Sequence, residues 1–450
     1  MKFTVERDAL AEAVAWVARA LPGRPVVPVL TGLLLSAGHE EEAEPGQDFL
    51  TLSCFDYEVS ARVRVRAEVA EPGKVLVPGR LLVEIVRSLP PHQVEFADDA
   101  DGVSVTCGDA AFMLTPLPIA DYPELPELPQ LAGTADGGAL ATAIAQVTPA
   151  ASRDDTLPML TAVSLELAGE TMTLAATDRY RLAVRELPWQ PAARQSAGAQ
   201  AASGPAGEGS AASDSAGKDS GATRSAAKGS SVPGRIALLV PARTLSDAAR
   251  MMSSGTEVRV VLRHADAVGA GDGPGDAAGN AGRGDGGRGG AEAMIGFETG
   301  QRRLTTRLLA GDFIRYRSRF PEEFGCTADL PAEAFAEAVR RVALVAERGT
   351  PVQLSFAPGR VTVGAATQGQ ARARETVAAE FTGDEPSIAF SPQYLLDGVV
   401  AATATAPDAS EPGAAQVRLR FTSPAKPAVI TPGPGAGTGF RYLVVPQRLR

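Results

Sequence analysis

One eight-residue recipe occurs three times in this chain, and it constrains the fold more than any other feature. The copies are Leu10-Ala11-Glu12-Ala13-Val14-Ala15-Trp16-Val17, Leu140-Ala141-Thr142-Ala143-Ile144-Ala145-Gln146-Val147 and Phe335-Ala336-Glu337-Ala338-Val339-Arg340-Arg341-Val342. Each sets large apolar residues at positions one, five and eight, with alanine at two and four. Spacings of i, i+4 and i+7 define one face of an α-helix. Three helices of one recipe predict three copies of one domain. A length of 450 residues agrees, at roughly 150 residues per domain.

A second recipe follows each first one. Val77-Pro78-Gly79-Arg80-Leu81-Leu82 corresponds to Val240-Pro241-Ala242-Arg243-Thr244-Leu245 and to Phe390-Ser391-Pro392-Gln393-Tyr394-Leu395. Each reads as a strand, a turn and a helix. Between the two helices of each copy lies a strand pair, beginning near Leu50, Met172 and Val361. From Leu10 to Leu81 is 71 residues, from Phe335 to Tyr394 is 59, but from Leu140 to Thr244 is 104. The excess is the Ala-, Ser- and Gly-rich tract 191–234, too poor in large apolar residues to order itself. A second such tract covers 265–290. Both read as disordered insertions between strands, where extra loop length costs little.

Many strands follow one another through short turns, and few helices cross over, so a parallel α/β winding does not fit. The expected class is α+β: three similar domains, each of two helix-plus-antiparallel-strand units. The expected bounds are 1–130, 134–325 and 327–450, with the insertions inside the central domain. In the first domain Asp8 reads as the cap of the opening helix, Gly23 as its stop, and Val29–Leu35 as a strand. In Val59–Val65, Val63 faces in and Arg62, Arg64 and Arg66 face out.

The apolar share of 44% and charged share of 21% are those of a soluble globular protein. No apolar run approaches the ~20 residues that span a bilayer, and the N-terminus lacks the apolar core of a signal peptide. A cytoplasmic protein without membrane contact is expected. Cys54, Cys107 and Cys326 are odd in number and far apart, which suits reduced core residues better than a disulfide frame or a metal cluster. His39, His92 and His264 have no carboxylate at a ligand spacing. Ser225-Ala226-Ala227-Lys228 and the glycine pattern Gly282, Gly284, Gly287 lie in low-complexity sequence and read as chance matches. No catalytic residue, metal or cofactor is therefore expected.

The positive signals are of another kind. Thr177-Asp178-Arg179-Tyr180-Arg181-Leu182 closes a strand with polar and aromatic residues, and Phe440 to Arg450 ends the chain as an apolar strand followed by Pro446 and Arg448. Basic residues mark both helix positions, among them Arg24, Arg80, Arg243 and Arg340. A formal charge of -10 excludes a surface basic all over but not one basic face. Either ordinary solvated faces or a shared basic surface accounts for them.

At these residues the chain resembles the bacterial replicative sliding clamps, the β subunits of DNA polymerase III. The resemblance rests on Gly23-Arg24-Pro25, Pro28-Val29-Leu30, Leu117-Pro118 with Asp121-Tyr122-Pro123, Thr177-Asp178 with Arg181-Leu182-Ala183, and Thr306-Arg307-Leu308-Leu309 with Gly311 and Phe313. It rests further on Tyr394-Leu395-Leu396-Asp397 and on Pro446, Arg448 and Leu449. It covers nearly the whole chain except the two insertions.

The resemblance implies a homodimer closed head to tail into a six-domain ring, with helices lining the hole. It implies a processivity factor that encircles double-stranded DNA without reading sequence and tethers the replicative polymerase. The other implied partners are the clamp loader and further replication and repair proteins carrying clamp-binding motifs. By the same carry-over, Arg24, Arg80, Arg153 and Arg243 touch DNA. Leu160, Thr177, Arg179, Tyr180, Arg181, Leu182, Leu443, Val444, Val445, Pro446 and Arg448 form a partner-peptide groove. Phe112 and Leu114 of one subunit face Leu344 and Val345 of the next. Ile314, Arg319 and Gln447 depart from the family pattern, and Ile314 and Arg319 fall within the groove. Two rival readings are an enzyme with an unrecognised site in the central domain and an open scaffold of repeated domains.

Overall fold

The computed structural model describes residues 1–39, 48–99, 101–127, 129–192, 235–263, 293–347, 349–367, 371–404, 415–435, 437 and 439–448. The two insertions fall almost wholly outside the described residues. Six α-helices are described: α1 Arg7–Val17, α2 Gly79–Ser88, α3 Gly137–Val147, α4 Ala242–Ala249, α5 Ala332–Ala343 and α6 Pro392–Thr403. The threefold recipe is α1, α3 and α5. Its large positions, Leu10, Val14 and Val17 and their counterparts through Phe335, Val339 and Val342, are all buried. The alanine at its fourth position is buried in every copy, which lets α1 pack on α2, α3 on α4 and α5 on α6. A proline stands at the start of each second helix, at Pro78, Pro241 and Pro392, where no N–H is needed.

Three local expectations change. α1 begins one residue before Asp8, with Glu6 at the cap and no side-chain cap bond. It runs into a 3-10 turn at Ala18–Ala20 and does not reach Gly23. Pro28–Thr31 is a 3-10 turn, and the strand starts only at Gly32. Pro28, with its fixed φ and missing donor, suits the first turn of a helix better than a paired strand. Val29 and Leu30 pack there with Leu76 and Tyr122, while the Tyr122 hydroxyl accepts the Phe55 N–H at 2.7 Å. Motifs nearly a hundred residues apart thus meet in one small cluster.

The strands are antiparallel, in sheets of thirteen, nine and four. Two sheets run across the domain junctions. Strand Arg302–Arg307 of the central domain pairs with Val59–Glu71 of the first, Leu304 opposite Ala61. Strand Arg181–Pro188 pairs with the C-terminal strand Phe440–Val444, Leu182 opposite Leu443. Side chains reinforce both junctions. Arg302 pairs with Glu12 and lies over the Trp16 ring. Gln146, buried on α3, donates to the carbonyls of Ala401 and Ala404 at 2.8 and 3.0 Å. Those carbonyls at the end of α6 have no partner within the helix, so the contact caps it. All three cysteines are buried and free. No described helix is long and apolar enough to cross a membrane.

Candidate functional site

The period of two in a strand decides which residues reach a surface. On Phe440–Val444, the side chains of Phe440, Tyr442 and Val444 join the main core under the helices. Leu443 faces the other way. It forms a separate apolar cluster with Ala175, Leu182, Val184 and Tyr316, and Phe313, Phe320 and Val445 pack against it half-buried. The floor of this patch is the face of the nine-stranded sheet away from the helices. Its wall is the connecting segment that contains Phe313, Tyr316 and Phe320.

An ion cluster holds that segment down. Glu166, buried on the same sheet face, accepts from Arg317 at 2.9 Å and pairs with Arg235. The Arg317 guanidinium is held more basic than usual, first by its hydrogen bond to Glu166. Burial, with the nearby Glu166 carboxylate, pushes the Tyr316 phenol up to about 12. At the far end Arg441 pairs with Glu186 at 3.0 Å and lies over the Phe320 ring.

The turn between strands Thr171–Thr177 and Arg181–Pro188 forms one rim. The buried Thr177 hydroxyl donates to the Arg181 carbonyl at 2.6 Å and accepts the Arg179 N–H at 3.1 Å. Asp178 accepts the N–H groups of Tyr180 and Arg181, both at 3.0 Å. Arg179 takes a left-handed φ of 81° and is exposed. For a residue other than glycine that conformation costs roughly 1–2 kcal/mol. Tyr180 is 53% exposed and stacks on Tyr394.

Several expected groove residues are therefore sorted differently. Val444 is corrected: its side chain is fully buried on the helix side, and it meets this region only through backbone pairing with Arg181. Arg181 also points to the helix side. It bonds Asp178 at 2.9 Å, pairs with Asp397 on α6 and lies 4.5 Å over Tyr394, so it ties the two domains together. Burial opposes its charge, but Tyr442, Asp397 and Asp178 overcome this and raise its pKa. Leu160 is buried in a 3-10 turn, outside the apolar cluster. Leu182, Leu443 and Val445 line the patch, Pro446 is half-buried beyond them, and Ile314, Arg319 and Arg448 are exposed. Val184, Tyr316 and Phe320 were not expected from sequence.

The four basic residues are exposed and make no ion pair with described residues. Arg80, in the first turn of α2, donates to the Pro22 carbonyl at 3.3 Å, next to the loop that carries Arg24. Arg243, in the first turn of α4, lines a cleft of about 270 Å³ with Arg19, Pro22 and Gly23. Three of the four thus gather around one loop, and Arg153 stands apart in the loop after α3. At the proposed subunit contact, Leu344 is 84% exposed at the end of α5 and Phe112 is exposed, with Val345 half-buried. Leu114 is corrected: at 1% exposure it belongs to its own domain's core and cannot face another subunit. Met113, on the opposite face of the same strand, is more exposed than Phe112. Among the described residues no group of His, Cys, Asp and Glu could hold a metal ion.

Family models for the DNA polymerase III beta subunit match along the chain: its N-terminal domain at 1–126, its central domain at 135–200 and its C-terminal domain at 317–448. A beta sliding clamp of Streptomyces coelicolor is 43% identical, with both chains covered completely. One from Micrococcus luteus is 42% identical over 84% of this chain and 98% of its own. Among solved structures, a Pseudomonas aeruginosa sliding clamp bound to griselimycin superposes with a TM-score of 0.75 at 25% identity, over the full length of both chains. The repeated helix pairs and junction-spanning sheets are the fold of that group. The chain belongs to the DNA polymerase III beta subunit family, the beta sliding clamps, which are processivity factors and not enzymes.

Proposed function

We propose that two copies of this chain close head to tail around duplex DNA, and that the apolar patch beside Tyr316 is the groove that tethers the replicative polymerase. The domains are taken as 1–130, 134–325 and 327–450. The observation that carries the ring is the pair of sheets that cross both junctions, together with two edge strands left without a partner among the described residues: Ala110–Leu114 of the thirteen-stranded sheet in the first domain and Ala371–Ala378 of the separate four-stranded sheet in the third. Edge strands of that kind pair readily with another chain. Phe112 of one copy lies against Leu344 and Val345 of its partner. The exposed Arg24, Arg80, Arg153 and Arg243 face DNA. Phosphate contacts of this kind carry no sequence information, and a topological link asks little affinity of them. The groove takes apolar side chains of a short peptide from the polymerase catalytic subunit, the clamp loader or repair proteins, as preformed apolar pockets do.

The test is native mass together with retention on DNA. The pure protein should weigh as a dimer, and once loaded should stay on nicked circular DNA in high salt while sliding off linear DNA. A monomeric mass, or equal retention on circular and linear DNA, overturns this reading.

A further inference from the structure

We infer that the junction between the first and central domains carries a second peptide site, one that takes segments in which lysine or arginine alternates with apolar side chains. The internal repeat places there the same three elements that frame the patch beside Tyr316. The 3-10 turn Pro28–Thr31 corresponds to Pro158–Leu160. The turn at Asp56 corresponds to the one at Asp178. Asp56 accepts the N–H groups of Glu58 and Val59 at 3.0 and 2.7 Å, as Asp178 accepts those of Tyr180 and Arg181. The residues after these aspartates, Tyr57 and Arg179, are the two described residues other than glycine with a left-handed φ, 74° and 81°. The segment that leaves the first domain, with Tyr122, corresponds to the one with Tyr316.

Four large apolar side chains stand open around Tyr122: Val26 at 92% exposure, Tyr57 at 45%, Val27 at 43% and Ile119 at 42%. The Leu30 N–H bonds the Val27 carbonyl, and the Tyr122 N–H bonds that of Ile119. The Tyr57 ring lies 5.8 Å from that of Phe55, whose N–H the Tyr122 hydroxyl accepts. Exposed apolar side chains are ordinary singly; a group of them around one residue marks an interaction surface. The floor differs from that of the first patch. Where Leu182 stands opposite Leu443 there, Ser60 stands opposite Thr305 here, both buried, so the apolar contacts come from the rim. The wall differs in sign. From Leu117 to Glu127 it has Asp121, Glu124 and Glu127 and no basic residue, where Phe313 to Phe320 has three arginines and no carboxylate. Asp121 and Glu124 are exposed, as is Glu58 on the turn, while Glu127 is engaged by Arg263. Arg19 and Arg243 border Asp56 and Glu58 in the neighbouring cleft, so the attraction for a cation is concentrated on the Asp121 segment. Carboxylates repel phosphates, and beside apolar side chains they suit a basic peptide and not nucleic acid.

The probe is a fluorescein-labelled hexapeptide of alternating lysine and leucine, titrated by anisotropy against the full-length protein at low salt. Asp121→Asn with Glu124→Gln should weaken its binding about three- to tenfold, the range of a few exposed ion pairs. Asp99→Asn with Asp101→Asn removes the same charge from another part of the first domain and should leave the affinity unchanged. Tyr57→Gly with Ile119→Ser should weaken binding by a similar factor to the first pair. Both side chains are exposed and glycine suits the left-handed φ at 57, so the melting temperature should not fall and misfolding cannot mimic the loss. Deleting Val445 to Arg450, which opens the groove beside Tyr316, should leave the affinity as it is. An equal loss in the Asp99 and Asp101 variant means that the acidic protein attracts the peptide everywhere, and overturns the inference. Unchanged binding by the Tyr57 and Ile119 variant, or no binding to the parent at about 1 mM, overturns it too. A loss of affinity on deleting Val445 to Arg450 moves the peptide to the groove beside Tyr316, which overturns the second site and leaves the groove reading standing.

Discussion

Val445 donates its backbone N–H to the carbonyl of Tyr180 at 2.8 Å, so the segment that follows the last strand is bonded to the rim of the central domain. Two residues on, the Gln447 N–H bonds the Ala389 carbonyl, also at 2.8 Å. The stretch from Val445 to Gln447 is thus tied to both the central and the C-terminal domain. Deleting Val445 to Arg450 removes the Val445 wall and frees the Tyr180 turn. Burying one apolar side chain contributes ~1.5–3 kcal/mol, so peptide affinity should fall about tenfold to a hundredfold or more. Dimer mass and retention on circular DNA should not change. Unaltered peptide affinity measured by anisotropy would falsify the groove assignment.

Leu344 and Leu114 should respond in opposite ways to substitution. Leu344 is exposed at the end of α5, so Leu344→Asp should leave the fold intact and shift the native mass from dimer to monomer at low micromolar concentration. Leu114 is buried in its own domain, so Leu114→Ala should cost about 2–5 kcal/mol in denaturant unfolding. A Leu344→Asp protein that remains dimeric would count against the proposed contact.

The helices were legible because burial on one face writes a repeat into sequence, and here the same repeat is written three times at Leu10, Leu140 and Phe335. The groove floor was legible only in part. Leu443, Val444 and Val445 form an unbroken apolar run, since one strand face packs on helices and the other on the Tyr316 segment. Alternation, the signal that separates two faces, is erased there, and Val444 was placed on the wrong one. Ala175, Val184, Tyr316 and Leu443 come from four separate stretches, and their meeting is a fact of strand pairing. The spacing of Phe313, Tyr316 and Phe320 within a run of arginines was the available hint. Leu114 shows the converse: an apolar edge strand announces itself in sequence, but which of its residues the domain keeps for itself does not.

Gly398 should not tolerate a methyl group. A Cβ there would lie 2.6 Å from the Tyr442 ring, whose hydroxyl is fixed by donating to the Tyr394 carbonyl at 2.9 Å. The ring cannot swing away without losing that bond. Gly398→Ala should therefore destabilise by about 1–3 kcal/mol despite alanine's better helix propensity. Chemical denaturation reads this directly, and a gain in stability would show that α6 can shift from the sheet.

Alkaline pH should loosen the groove wall before it affects the rest of the chemistry of the site. The Tyr316 hydroxyl is buried beside the Glu166 carboxylate. Burial, then the Glu166 carboxylate, raises its pKa from 10.0 to about 12. A raised folded-state pKa means that ionisation is easier in the unfolded chain. The stabilisation is therefore whole below pH 10 and is lost as pH rises through the folded value. Ultraviolet titration should show one fewer late-titrating phenol in Tyr316→Phe than in the parent, with the early phase unchanged. Across the same window the parent should lose more unfolding free energy than Tyr316→Phe, which has no phenol to ionise. Cys54, raised to about 12 by burial, titrates alike in both proteins, so the difference between them isolates Tyr316. If Tyr316→Phe instead removes a phenol from the early phase, Tyr316 is open to solvent and the wall does not close over the sheet as described.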